Sequence, residues 1–210
     1  MTTKEFRIKQ SFLRNEFDAQ GKWNIPVVKK EKLDVATVSL ISYSDTNSKE
    51  SDKNKCKGVH FFIDDYRMED IYNHPLRSLN KLAQYNFVLT PDYSLYMNMP
   101  RAVQLFNIFR NRWCGAFWQK NGLKVFPTIS WSDIQSFEYC FEGVEKNSIV
   151  AISTIGCRLE KTNFLRGYKE MIDKLNPSCI ICLGKPFDEM TGNLIVVDYI
   201  ESRRVDRYGR

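Results

Sequence analysis

The sequence predicts an α/β fold built on a mainly parallel sheet of six to seven strands. Three observations predict it. Apolar runs of β type recur at 59–63, 87–89, 123–129, 149–152, 179–183 and 194–197. The first four are each followed by a helical pattern, and the interval between runs is roughly 25 to 35 residues, the size of one βαβ unit. The runs are continuous rather than alternating, as expected of parallel strands covered on both faces. Each run also ends in polar residues, which is where parallel folds place their ligands.

Taken in order, the N-terminal arm 1–35 is the least regular part. Phe6 to Phe17 suits a short helix, and Gly21 to Pro26 interrupts it. Val38 to Tyr43 alternates as a strand does. The Ser, Asp, Asn and Lys run at 44–57 is too polar to pack and is expected to form a mobile surface loop. After the strand at 59–63, Met68, Ile71, Leu76, Leu79 and Leu82 fall at helical spacing. After the strand at 149–152, Phe164, Leu165, Tyr168, Met171, Ile172 and Leu175 do the same. A helix from Arg101 to Gln119 lies between them. The tail 200–210 is basic, and 1–210 reads as one domain.

The polar endings are Asp64 and Asp65, then Thr90 to Asp92, Ser130 to Asp133, Ser153, Thr154 and Gly156, Gly184 and Lys185, and Asp198 and Tyr199. Because nearly every strand ends this way, an incomplete or distorted TIM-barrel-like arrangement is favoured. The alternative is an open doubly wound three-layer sheet, which uses only the strands near its switch point.

Composition bounds the function. The chain has 210 residues, 43% hydrophobic and 27% charged, enough to bury a full core without staples. It shows no apolar run long enough to cross a bilayer and no signal-type N-terminus, so a cytoplasmic protein without membrane contact is expected. Six scattered cysteines read as reduced, mostly buried thiols. The Cys179 and Cys182 pair falls on opposite faces of a strand, and His60 and His74 lack neighbouring ligands, which argues against structural zinc. No dinucleotide fingerprint, phosphate loop or nucleophile elbow is present. The net charge of +6 is gathered at the ends, in Lys4, Arg7, Lys9 and Arg14 and in Arg203, Arg204, Arg207 and Arg210.

Asp64, Asp65 and Asp92 are the candidate catalytic carboxylates, as acid and base, and Asp64 and Asp65 the candidate ligands for a divalent cation such as magnesium. In the helix at 101–119 Arg110 falls inside the apolar arc, so it needs a carboxylate or a bound anion. Arg112 sits at the arc's edge, where its stem can lie on apolar surface with its head in water. Trp118, on the polar side, and Trp131, just past a strand, can stack on a planar ligand. Thr154 and Lys185 are further strand-end candidates.

The segments 59–67, 88–94, 111–119 and 127–131 resemble a bacterial and phage family, domain of unknown function 4417, over roughly 12–199. The resemblance implies no activity. It implies that Asp64, Asp65, Arg67, Asp92, Ser94, Arg112, Trp113, Trp118 and Trp131 belong to the family pattern, and that a mobile-element setting is to be expected. The leading expectation is a hydrolase or transferase acting on a nucleotide or other phosphate-bearing ligand at the strand ends, with Arg110 or Arg67 clamping the anion. The alternative is a non-catalytic nucleic-acid- or protein-binding factor of a phage or plasmid, working through its basic ends.

Overall fold

Continuous apolar strands must be covered on both faces, and period-two alternation decides which side chain goes to which face. The computed structural model, which describes residues 2–203, follows that rule. Its strands are β1 (Ala19–Gln20), β2 (Ile25–Pro26), β3 (Leu40–Ser42), β4 (Gly58–His60), β5 (Phe87–Leu89), β6 (Val125–Phe126), β7 (Ile149–Ser153), β8 (Cys179–Leu183) and β9 (Leu194–Val197). β1 and β2 form a small antiparallel hairpin where only a break was expected. The rest pair in parallel and in chain order, β3-β4-β5-β6 in one sheet and β7-β8-β9 in another. A parallel bridge from Thr128 to Ala151 links the two sheets.

One face of this ladder forms a single inner cluster, with Leu40, Phe87, Leu89, Phe126, Ile149, Ala151, Ile181, Leu183 and Val197 drawn from six strands. The intervening residues point outward. Ile41, Val59, Val88 and Val125 pack in one outer cluster, and Val150, Ile152, Ile180 and Cys182 in another. Gly58 faces inward, and a Cβ there would stand 2.1 Å from the Phe87 ring. Glycine is what lets that ring fill the interior.

The parallel α/β class therefore holds. Because strand order never reverses, there is no switch point of the doubly wound kind. Nor does the barrel close: among the described residues β3 and β9 are not hydrogen-bonded to each other. They stand on either side of a cavity of about 590 Å³ lined by Leu40, Val197 and Ser202.

The helices are α1 (Thr3–Arg7), α2 (Gln10–Leu13), α3 (Asp52–Lys55), α4 (Glu69–Asn73), α5 (Pro75–Leu82), α6 (Arg101–Lys120), α7 (Lys161–Leu175) and α8 (Tyr199–Ser202). α7 is amphipathic and buries Phe164, Tyr168, Met171 and Leu175. Each such side chain contributes about 1.5–3 kcal/mol. The helix ends at Asn176, whose left-handed φ of 44° and N–H to the Ile172 carbonyl make a C-terminal cap. No α-helix follows β6; the connection holds only a 3₁₀ turn at Ile134–Glu138, N-capped by Asp133. α8 folds back beside the open edge. His60 Nδ1 accepts from the Phe62 N–H, so its protonated Nε2 donates to Ser202 Oγ at 3.2 Å. Burial first, and the Arg203 charge second, push this imidazole down to about 3.

The run 44–57, expected to be too polar to pack, carries α3 and a buried polar knot. The Glu50 carboxylate accepts from Tyr85 Oη at 2.6 Å and Asn54 Nδ2 at 2.9 Å. Burial opposes the charge on Glu50, but these bonds outweigh it and lower its pKa. A partner 35 residues away lets the polar run pack. Arg14, counted with the basic N-terminal end, stacks over the Trp113 ring at 4.1 Å. Arg204, Arg207 and Arg210 lie outside the described residues. No helix among the described residues is long and apolar enough to cross a membrane. The cysteines are free thiols, four of them buried, Cys157 partly so and Cys56 exposed.

Candidate functional site

The carboxyl ends of the strands converge on one cavity of about 470 Å³. Ser44 comes from just past β3, Phe62 to Asp64 and Arg67 from past β4, and Asp92 and Ser94 from past β5. Ser130 and Trp131 follow β6, Ser153, Ile155 and Cys157 come from the end of β7 and beyond, and Tyr199 and Arg203 follow β9. Parallel strands in register deliver these loops to the same edge.

Asp92 is the chemically distinctive group. Its carboxyl is pushed up to about 7, chiefly by burial; the Ser130 hydroxyl and the Arg112 guanidinium pull it down, and the Asp65 charge pushes it further up. A carboxyl poised there can give or take a proton near neutrality. Burial, with the Asp92 charge adding, raises the Cys157 thiol to about 11, which keeps it protonated near neutrality.

Two walls flank Asp92. On the β3–β4 side stand two guanidiniums: Arg67 lies 3.5 Å from Asp64, whose side chain is 70% exposed, and Arg203 is held more firmly, 3.2 Å from the largely buried Asp45 and donating to Ser42 Oγ at 2.8 Å. On the β6–β7 side Trp131 is half-buried, its ring 5.0 Å from Phe164. α7 makes room for it at Gly167, where a Cβ would meet the indole at 2.2 Å.

The remaining candidates separate. Asp65 accepts from both the backbone N–H and the hydroxyl of Ser94, the latter at 2.8 Å, and so positions that loop. Asp64 and Asp65 thus face different partners, and among the described residues no group of three or more His, Cys, Asp or Glu is placed to hold a metal ion. Arg110 is buried and has the carboxylate it needs, but Asp65 stands only at 3.8 Å. Its main partner is Glu69, whose two oxygens lie 2.8 and 2.9 Å from Nη1. Nε bonds Asn107 and the guanidinium covers the Tyr93 ring at 3.5 Å, so it is a packed structural clamp outside the cavity.

Arg112 does not put its head in water. It is wholly buried and donates to the carbonyls of Thr128, Cys140 and Glu142 and to Asn111 Oδ1. Burial lowers its pKa to about 10. Trp118 is fully buried and stacks on Phe61 at 5.5 Å, because the helix face read as polar packs on the outer cluster of the strand layer with Val59 and Val125. Thr154 turns inward, its hydroxyl donating to the Lys185 carbonyl at 2.9 Å, and the Lys185 side chain is exposed outside the cavity lining. Ser44 and Cys157 line the cavity without having been named as strand-end residues, while Ser130, Ser153 and Tyr199 were named only as polar strand endings and Arg203 only as part of the basic end. The signal of the serines and Tyr199 was position alone, within a few residues of a strand end.

A family model described as a domain of unknown function, DUF4417, matches residues 17–200, and the chain belongs to that family. It is 36% identical over 176 residues to the "Gene 1 protein" of Mycobacterium phage L5, covering 82% of this chain and 76% of that protein. It is 40% identical over 130 residues to the "Gene 1 protein" of Mycobacterium phage D29, covering 60% of this chain and 48% of the relative. The chain thus aligns with about half the length of that second protein. No solved structure matches.

Proposed function

We propose that the strand-end cavity is an acid–base site for a small phosphate-bearing ligand such as a nucleotide, in a hydrolase or transferase. The observation that carries this reading is Asp92, a carboxyl held near 7 where the ends of six strands meet. As a base Asp92 takes a proton from an attacking water or hydroxyl. As an acid it returns one to the leaving group. Arg67 and Arg203 supply charge for the anion, and a phosphate would replace the exposed Asp64 beside Arg67 at little cost. Trp131 offers a face for a planar ring.

Melting curves of the full chain across a panel of nucleotides, with and without magnesium, test this. A true ligand at about 100 times its Kd raises stability by about 2.7 kcal/mol, and Arg67→Ala should remove most of that gain. If no phosphate compound shifts the melting of the wild type, the reading fails. The alternative of a non-catalytic factor acting through basic ends rests on Lys4, Arg7 and Lys9, exposed at one end, and on Arg203, Arg204, Arg207 and Arg210 at the other, the last three outside the described residues.

A further inference from the structure

The cavity is polar, yet its rim is not. Exposed large apolar side chains sit on the loops after four strands: Tyr66 past β4, Tyr96 past β5, Ile155 and Leu159 past β7, and Tyr199 past β9. Tyr199 and Ile155 line the cavity directly. Tyr66 Oη accepts from Arg67 Nε at 3.0 Å and, with the Ser94 proton given to Asp65, the Tyr96 hydroxyl donates to Ser94 Oγ at 3.3 Å, both partners being lining residues. Leu159 is 96% exposed. Apolar side chains gathered around a polar opening mark a surface that meets something larger than what the opening holds.

The chemistry of the rim selects among partners. Three of these five side chains are tyrosines, and guanidinium groups stand beside two of them: Arg67 lies 5.4 Å from the Tyr66 ring centre, and Arg203 follows directly on the α8 turn that Tyr199 begins. Arg158 is exposed on the same loop as Leu159. Separated rings interleaved with cations suit unstacked bases joined by phosphates. A duplex keeps its bases stacked within and offers these rings nothing to cover.

We infer that the mouth takes its phosphate-bearing ligand as one unit of a single-stranded nucleic acid, that unit entering the cavity while Tyr66, Tyr96 and Tyr199 stack on neighbouring bases. This rests on the small-ligand reading above and names its source.

The test is fluorescence anisotropy of the full chain with labelled oligothymidylate of about 12 nucleotides and with a duplex of the same length. Beside it runs the melting shift produced by thymidine monophosphate. The single strand should bind at least about 10-fold more tightly than the duplex, and Tyr66→Ala with Tyr96→Ala should weaken it by about 10-fold or more. Because both rings are exposed, the double variant should melt as the wild type does. Failure of the single strand to bind overturns the inference, as does wild-type affinity in the double variant. A loss of binding confined to Arg204→Gln with Arg207→Gln would assign the strand to the tail and also overturn it. If thymidine monophosphate gives an Arg67-dependent melting shift while no oligonucleotide binds, the small-ligand reading stands and this inference alone falls. If the oligonucleotide binds through the tyrosines with no effect of Arg67→Ala, the rim stands and the cavity reading falls.

Discussion

Helices α6 and α7 cover the two halves of the strand ladder with different chemistry. α7 buries Phe164, Tyr168, Met171 and Leu175, a plain apolar stripe against β7 and β8. α6 buries Gln104, Asn107, Arg110, Asn111 and Arg112 alongside its aromatics. Apart from Arg110, which pairs with Glu69 on α4, those polar side chains are spent mainly on the loops at the strand ends. Asn107 and Asn111 donate to the carbonyls of Ser94 and Pro91, at 2.7 and 2.6 Å, and Gln104 donates to those of Tyr96 and Met99. Arg112 holds the Thr128 carbonyl just past β6. Loops that carry a site have backbone groups left over from strand pairing, and something must satisfy them. α6 does so from its buried face, whereas α7 keeps that face apolar and reaches loop carbonyls mainly from its margins, through Asn163 to Ser132 and Lys174 to Phe137, both at 2.7 Å.

Substitutions can break or sharpen that contrast. The largest effect should come from Arg112→Met, which strands the carbonyls of Thr128, Cys140 and Glu142 in a buried place. Urea unfolding should show a loss of about 3–5 kcal/mol together with altered ligand response at the mouth. Met171→Ala, in the α7 stripe, should cost about 2–4 kcal/mol by leaving a cavity, yet leave the ligand response intact. Equal damage to the mouth from both would show that α6 has no special role. Arg110→Met should cost less, about 1.5–3 kcal/mol, because Glu69 is half-exposed and water can replace the guanidinium. The smallest effect should be Gly167→Ala, about 1–2 kcal/mol, with a shift in Trp131 fluorescence as the new methyl displaces the indole.

This difference also governs what the sequence revealed. α7 was legible because an apolar stripe at helical spacing names its own partner, a sheet. β8 and β9 were legible to the residue for the same reason. The extent of α6 was readable, and so was the need of Arg110 for a carboxylate. Glu69 was not, since it sits on another helix and nothing in the spacing singles it out from Asp64 or Asp65. Arg112 was misread because its partners are backbone carbonyls, which every residue possesses and no pattern displays. The site itself was half legible. Polar strand ends pointed to Asp64, Asp92, Ser130, Trp131, Ser153 and Tyr199, but Cys157 and Arg203, farther along their connections, line the cavity too and carried no such signal.

The central claim is that the mouth holds Asp92 near neutrality, and its pH linkage tests this most directly. A carboxyl whose folded pKa is raised binds its proton more tightly in the native state, so stability is greatest below the unfolded value near 4 and falls as pH rises to about 7. Above that, both states are ionised and the loss is complete. Asp92→Asn cannot ionise. The unfolding free energies of wild type and variant should therefore agree near pH 4 and separate as pH rises, with the variant about 2–4 kcal/mol ahead by pH 8. A constant difference between the two proteins across that range would contradict the account.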